Sequence, residues 1–190
     1  MRLLLPLVLL STTANAADVA LPALRADLLR WQEIDQAVLK GDASPGMVAV
    51  VQRRHTAELK SVFARHGWPT IAMVGKDASQ AAWLLVQHAD EDRAWQRTVL
   101  RAMEPLVAAN EVVPQSFAYL SDRVAVGAGE AQLYGTQGRC VARLRWEPHP
   151  LRVPEEVDAR RAGMQLPPLA DYRAMASERI CAGFGEPGLE

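Results

Sequence analysis

The sequence is poor in the features that mark several large classes of protein. Its 190 residues include two cysteines and three lysines, and 21 Lys and Arg stand against 22 Asp and Glu, a formal net charge of −1. Proteins that bind nucleic acid carry an excess of basic residues, so we expect no nucleic-acid partner. The sequence also lacks a haem-attachment motif and a glycine loop that could cradle phosphate ahead of a helix. We therefore predict no nucleotide, flavin or haem cofactor.

Long apolar runs are missing too, and the one at the amino terminus is too short to cross a membrane. Residues 1–16 combine a positive charge at Arg2, an apolar run over 3–10 and the small-residue motif ANA at 14–16. A run of roughly eight residues falls far short of the ~20 that a membrane-spanning helix needs, so this segment is typical of a secretory signal peptide. We predict cleavage after Ala16, a periplasmic or secreted location, and no transmembrane segment in the mature chain.

The two cysteines, Cys140 and Cys181, would then mature in an oxidising compartment, where thiols tend to pair. The sequence leaves two alternatives open, a disulfide bridge or two buried, unpaired thiols, because geometry decides between them. Neither cysteine stands at metal-ligand spacing from another Cys or His, and the spacing of His88, Asp90 and Asp122 does not support a metal site either. No metal site is predicted.

Apolar residues at three- and four-residue steps predict a mainly α-helical protein, and its length suits one well-buried core. The first helix carries the apolar stripe Leu24, Leu28, Trp31, Ile34 and Val38. The predicted helices are 21–40, 47–65, a long run over 77–106 with a break near 90–92, a short helix after Pro114, and two closing helices at 155–162 and 170–181. We divide the chain into the signal peptide 1–16, an N-terminal helical region 17–66, a core domain 67–182 and a flexible tail 183–190.

The hydrophobic period changes to two between residues 132 and 146, which predicts a β-hairpin. In its first strand, Gln132, Tyr134 and Thr136 would share one face, Gln137-Gly138 would form a tight turn, and 140–146 would be the second strand. The predicted fold class is therefore mainly α with a small β-hairpin (α+β), a single-domain helical assembly. Amide side chains exchange no protons near neutral pH, so the QLYGTQ strand could hold a ligand but would need other residues for chemistry.

His88 is the leading candidate for that chemistry. On a continuous helix it would share a stripe with Leu84, Trp95 and Val99, so the imidazole should face inward. A core histidine with one hydrogen bond is the simpler interpretation. The nearby Asp90 and Gln96, either of which could orient an imidazole or bind a ligand, favour a functional one.

Charged residues on the later helices pose a similar choice. Asp122 and Arg123 lie off the apolar stripe of the helix after Pro114, so they are either solvated or line a pocket. Arg160 and Arg161 are either surface charges or an anion-binding group, since an arginine fork suits a carboxylate or phosphate. No serine or cysteine stands in a recognisable nucleophile elbow, so a covalent mechanism is not supported.

An ordered set of motifs resembles the bacterial family catalogued as domain of unknown function 6624. The motifs are HGWPTIAMVGKDASQAAWLLVQHADEDRAWQ, AYLSDRV, QLYGTQ and VDARRAGMQLPPLADY, over about residues 68–172; the helices before them match only loosely. The two cysteines and the strand 139–145 look like additions of this protein. The family has no established activity, so the resemblance implies a shared structure and a common site without naming a substrate. The residues that match its polar signature are His88, Asp90, Gln96, Asp122, Arg123, Gln132, Tyr134, Thr136, Gln137 and Arg161.

Together these observations predict one pocket with three walls: the His88 helix, the Asp122-Arg123 helix and the QLYGTQ strand. Catalysis would fall to His88 with Asp90 or Asp122. Ligand binding would fall to Gln96, Arg123, Gln132, Tyr134, Thr136, Gln137 and Arg161. The first hypothesis is a cofactor-independent, hydrolase-type enzyme that acts on a small polar substrate derived from a peptide or sugar. The alternatives are a non-catalytic binding module for a small polar ligand or protein partner, and a structural network whose function lies on the N-terminal helices.

Overall fold

The computed structural model describes residues 19–185 and confirms a mainly α-helical fold with one small β-hairpin. The signal peptide predicted for residues 1–16 lies outside the described residues, as does the end of the predicted tail. The elements in chain order are α1 (Pro22–Lys40), α2 (Pro45–His66), α3 (Ile71–Val74), α4 (Lys76–Gln87), α5 (Arg93–Ala108), α6 (Pro114–Gly127), β1 (Gly138–Ala142), β2 (Arg145–Pro148), a 3-10 turn (Pro154–Glu156), α7 (Val157–Gly163) and α8 (Leu169–Ile180).

Local sequence sets where several of these helices begin and end. The Ser44 hydroxyl accepts a hydrogen bond from the backbone N–H of Met47 at 3.3 Å and caps α2, which ends before Gly67 at φ +72°. The predicted break near 90–92 is confirmed, because the Asp92 carboxylate accepts from the N–H of Trp95 at 3.0 Å and starts a new helix there. This break separates α4 from α5 and leaves His88 at the end of α4.

Helix α4 lies at the centre of the main core and packs against α1, α2, α3, α5 and α6. Its buried residues include Ala78, Ala81 and Ala82, small side chains that let neighbouring helices approach closely. Leu28 of α1 and Leu59 of α2 are buried in this same core. The N-terminal helices therefore form part of the structure that holds α4.

The predicted hairpin exists, but its predicted position was wrong. Strand β1 pairs with β2 antiparallel, with Cys140 opposite Trp146, and the chain reverses at residues 143–144, where Leu144 has φ 55°. Residues 132–137 are irregular apart from an isolated bridge from Gln132 to Leu151. Gly135, at φ +67°, cannot extend a strand, and a Cβ there would lie 2.9 Å from a side-chain carbon of Leu169.

A smaller core forms where α8 packs against the hairpin. Trp146, Tyr172 and Ala176 are buried there beside a disulfide bond between Cys140 and Cys181, whose Cα atoms lie 5.6 Å apart. The sequence left a bridge and two unpaired thiols as alternatives, and the structure contains the bridge. Closing a loop with a sequence separation of 41 contributes up to ~4 kcal/mol in the chain-entropy model.

None of the helices described between residues 19 and 185 has the length and apolar character needed to span a bilayer.

Candidate functional site

One buried carboxylate holds residues 132–137 in place. Asp122 of α6 is completely buried, and its Oδ1 accepts from the backbone N–H groups of Leu133 (2.8 Å) and Tyr134 (3.0 Å). Its Oδ2 accepts from the backbone N–H (2.8 Å) and the hydroxyl (2.9 Å) of Thr136. Burial raises the pKa of Asp122, and these four donors oppose the rise. Asp122 thus fixes the backbone that sequence patterning had assigned to a strand.

Gln132 closes the same segment into a loop. The side chain is completely buried, and its Nε2 donates to the carbonyl oxygens of Gln137 (2.8 Å) and His149 (2.9 Å). Its Oε1 accepts from the backbone N–H of Gln137 at 2.9 Å. Both polar atoms of this amide are therefore bonded to the backbone of the protein itself.

Arg161 of α7 is buried beneath the loop. Its Nη1 donates to the carbonyl of Tyr134 and its Nε to that of Pro167, both at 2.6 Å, and the guanidinium lies 5.0 Å from the centre of the Tyr172 ring. Burial lowers the pKa of Arg161. Its Nη2 has no hydrogen-bond partner among the described residues. The Tyr172 hydroxyl donates to the carbonyl of Thr136 at 3.2 Å, so α7 and α8 both hold the loop.

The structure therefore brings together five of the predicted site residues, but as an interior network. Asp122, Gln132, Thr136 and Arg161 have at most 4% of their surface exposed, and Tyr134 has 7%. Their hydrogen bonds join α6, α7 and α8 through the loop 132–137. This arrangement is closer to a structural network, one of the alternatives that the sequence left open, than to the wall of a ligand-binding pocket.

Asp90 and Arg123 form the outer edge of this network. The Arg123 Nε donates to Asp90 Oδ1 at 2.9 Å, its Nη2 pairs with Asp90 Oδ2, and its Nη1 reaches Gln137 Oε1 at 3.4 Å. Gln96 is completely buried, and its Nε2 bonds the Val86 carbonyl at 3.0 Å and Asp90 Oδ1 at 3.2 Å. Gln96 thus caps the end of α4 and positions Asp90.

The pKa of Asp90 results from opposing effects. Burial raises it, while the hydrogen bonds and charge of Arg123, the Gln96 amide and the charge of Arg93 lower it, and together these place it below its ordinary value. About 42% of the Asp90 side chain and 30% of the Arg123 side chain are exposed. The side chains of these two predicted residues are therefore partly accessible to solvent, but each is already bound by the other.

His88 lies apart from this network and pairs with a residue that the sequence interpretation missed. Its Nδ1 lies 2.7 Å from Oδ2 of Asp35 in α1, and the Asp35 side chain is only 1% exposed. An ionised carboxylate can only accept, so this contact favours the tautomer that carries the proton on Nδ1 and leaves Nε2 as an acceptor. The predicted pairing with Asp90 or Asp122 was wrong, because Asp90 is bound by Arg123 and Asp122 by the loop.

One sequence signal could have indicated this pairing. Asp35 lies seven residues after Leu28 and three before Val38, so it occupies the inward stripe that we had assigned to Ile34. Ile34 is 42% exposed and Asp35 is completely buried. A carboxylate on an apolar stripe requires a partner. A separate signal, unrelated to this pairing, lies on α2, where Gln52, Thr56 and Lys60 recur every four residues and form a polar stripe.

Asp35 also lies close enough to influence a second histidine, which is buried. The pKa of His55 in α2 lies below its ordinary value, because burial lowers it by more than the charge of Asp35 raises it. His55 stacks on Trp31, with ring centroids 6.4 Å apart. Among the described residues, neither His55 Nδ1 nor Asp35 Oδ1 has a hydrogen-bond partner. The imidazole of His88 is therefore the group that holds the Asp35 carboxylate most directly.

His88 lines a cleft of about 340 Å³ between α2 and the turn that joins α4 to α5. The residues that line it are Gln52, Arg53, Thr56, Ala57 and Lys60 of α2, with His88, Ala89, Glu91 and Asp92 opposite. No side chain from α6 or from residues 132–137 is among them. The three-walled pocket predicted from the sequence is thus replaced by two separate polar regions, this cleft and the network around Asp122.

The chain matches a family model described as Family of unknown function (DUF6624) over residues 22–181. The chain belongs to this family. The DUF6624 match begins at the first residue of α1, so it takes in both N-terminal helices and both cysteines, beyond the range over which the motifs predicted it. It therefore spans both the cleft and the Asp122 network. No curated protein and no solved structure matches the chain.

Asp122→Asn should destabilise the protein by about 3 kcal/mol, because the substituted amide turns a donor toward the Thr136 N–H and leaves it unsatisfied. Urea denaturation followed by circular dichroism measures the change. Asp42→Asn, in the exposed turn between α1 and α2, is the matched control and should change stability by no more than about 0.5 kcal/mol. Equal stability of the two variants would contradict an anchoring role for Asp122.

Arg123→Met should raise the pKa of Asp90, because burial persists after the hydrogen bonds and charge of Arg123 are lost. Carbon NMR of the Asp90 carboxyl during a pH titration measures this change. With Arg123 present, the folded pKa lies below the unfolded one, so the stability contributed by Asp90 is present above the unfolded pKa and is lost as pH falls through the folded pKa. Arg97→Met, on the exposed face of α5, should leave the titration unchanged. An unchanged midpoint of the Asp90 titration in Arg123→Met would show that the ion pair with Arg123 does not lower the pKa of Asp90.

Proposed function

We propose that the cleft beside His88 is the functional site and that the protein is a cofactor-independent, hydrolase-type enzyme acting on a small polar substrate. The observation that supports this proposal is the pairing of His88 with a buried carboxylate. Asp35 occupies Nδ1 at 2.7 Å, so Nε2 is the ring nitrogen left for a substrate or water in the cleft that His88 lines. An imidazole oriented by a buried carboxylate is suited to general acid–base catalysis.

The proposed chemistry needs only this pair and a water molecule. Nε2 of His88 takes a proton from water as the water oxygen bonds to the electrophilic carbon of the substrate. Nε2 then returns that proton to the leaving group as its bond to the same carbon breaks. Asp35 stabilises the transient imidazolium, which would otherwise be costly beside the protein interior. The Thr56 hydroxyl donates to the Gln52 carbonyl at 2.8 Å, so its proton is already engaged and water is the nucleophile in this scheme.

The location that accompanies this proposal is the periplasm or the extracellular space. The apolar segment and ANA motif of residues 1–16 support it, as does the Cys140–Cys181 disulfide, since such bonds persist mainly in oxidising compartments. The substrate would then be a peptide- or sugar-derived molecule of that compartment.

A non-catalytic binding module is the second candidate, and a specific observation favours a protein partner for it. Leu39 of α1 and Met47 and Val50 of α2 are 43%, 53% and 53% exposed near the turn between these helices. Exposed apolar side chains are typical of protein-binding surfaces where they form a patch, and these three flank one turn. A binder of this kind would not depend on the imidazole of His88.

His88→Ala should reduce the kcat of the native chain by about 100-fold or more, because general acid–base catalysis contributes on the order of 10²–10⁴. Asp35→Asn should reduce it in the same way, since the amide no longer fixes the ring tautomer. Turnover is measured on a panel of chromogenic peptides, esters and glycosides, and circular dichroism checks the fold of each variant.

His66→Ala is the matched control, because His66 is an exposed histidine at the end of α2 and does not line the cleft. It should retain native turnover. Equal turnover of native and His88→Ala chains would exclude the proposed role of His88. Failure of the native chain to turn over any member of the panel would favour the binding module.

A further inference from the structure

We propose that the cleft takes a short peptide with free ends, laid along α2 with its carboxylate at Arg53 and its ammonium group at Asp92. This inference rests on the proposed function, since it concerns the same cleft. The charges in the cleft are of both signs and are arranged as one ion pair near each end of the α2 lining.

Both ion pairs join α2 to the turn that follows His88. Arg53 Nη1 lies 3.3 Å and 3.2 Å from the two carboxylate oxygens of Glu91. Lys60 Nζ pairs with Oδ2 of Asp92. Arg53 and Lys60 are seven residues apart on one helix, which separates them by about 10 Å at 1.5 Å per residue.

These pairs are exposed enough to share their charges with a ligand. The side chains of Arg53 and Glu91 are 56% and 63% exposed, and those of Lys60 and Asp92 are 46% and 33% exposed. Exposed ion pairs contribute little stability, so partial replacement of one partner is tolerated. A ligand with a single charge could be complemented at only one end of the cleft, and an uncharged sugar would use neither pair.

The free donors and acceptors suggest which end receives which group. Arg53 contacts Glu91 through Nη1 alone, so its Nε and Nη2 have no hydrogen-bond partner among the described residues and can form a fork on a ligand carboxylate. Asp92 accepts from the Trp95 N–H and from Lys60, and carboxylate oxygens have further lone pairs for a ligand ammonium group.

The spacing of about 10 Å between Arg53 and Lys60 along α2 suits about three residues, since an extended chain advances ~3.3–3.6 Å per residue. Ala57 and Thr56 lie between the two charged ends on α2, opposite His88. The small side chain of Ala57 leaves room for a backbone there. Among the described residues, the amide side chain of Gln52 makes no hydrogen bond, so it is available to a peptide carbonyl group. The central peptide bonds would then pass beside Nε2 of His88.

Calorimetric titration of trialanine tests this inference, with the His88→Ala variant used so that binding is measured without turnover. Trialanine should bind about tenfold or more tightly than either N-acetyl-trialanine or trialanine amide. Arg53→Gln, made in the same background, should weaken trialanine and N-acetyl-trialanine by about tenfold and leave trialanine amide unchanged. Arg54→Gln, an exposed neighbour that does not line the cleft, is the matched control.

Equal binding of the free and blocked peptides, or no binding of trialanine, would overturn the inference. A loss in Arg53→Gln that is the same for all three peptides would also overturn the assigned orientation. These results are distinguishable from failure of the proposed function. If a substrate of another class is turned over and its turnover requires His88, the proposed function stands and the peptide inference fails. If the peptide binds tightly but no substrate is turned over, the peptide inference stands and the proposed function fails.

Discussion

The free-energy cost of burying a carboxylate constrains both polar regions of this protein. Asp122 and Asp35 are each completely buried, and a buried charge persists only where hydrogen bonds replace its lost hydration. Asp122 is satisfied by four donors from one loop. Asp35 has the His88 imidazole at 2.7 Å and the Gln36 amide at 3.3 Å, and its other oxygen has no hydrogen-bond partner among the described residues. The first arrangement fixes backbone, whereas the second leaves a titratable ring beside a cleft.

The network around Asp122 explains how a loop without regular structure can remain ordered. Three of its backbone N–H groups donate to one carboxylate, while two of its carbonyl groups accept from Arg161 and Tyr172. The loop in turn holds α7 and α8 against α6, and the Cys140–Cys181 bond ties the hairpin to the end of α8. This half of the molecule has a small apolar core, so polar contacts and a covalent link carry much of its cohesion.

Local features were predictable from the sequence, and long-range pairings were not. The apolar period predicted the main helices, and the break was predicted near residues 90–92, because such signals act within one or two turns. The two-residue period failed at residues 132–137, where Asp122 takes three of the N–H groups that a strand partner could have used. His88 pairs with a residue 53 positions away, so no spacing rule could join the two. Asp35 was detectable only as a charge on an apolar stripe.

The central claim is that Asp35 orients His88 so that its Nε2 is free at the cleft. Nitrogen-15 NMR of the histidine side chains measures this most directly, at a pH where the ring is neutral, because the two ring nitrogens have different chemical shifts when protonated and unprotonated. We predict that His88 carries its proton on Nδ1 in the native chain and loses that preference in Asp35→Asn. A native ring protonated on Nε2, or a tautomer that Asp35→Asn does not change, would contradict it.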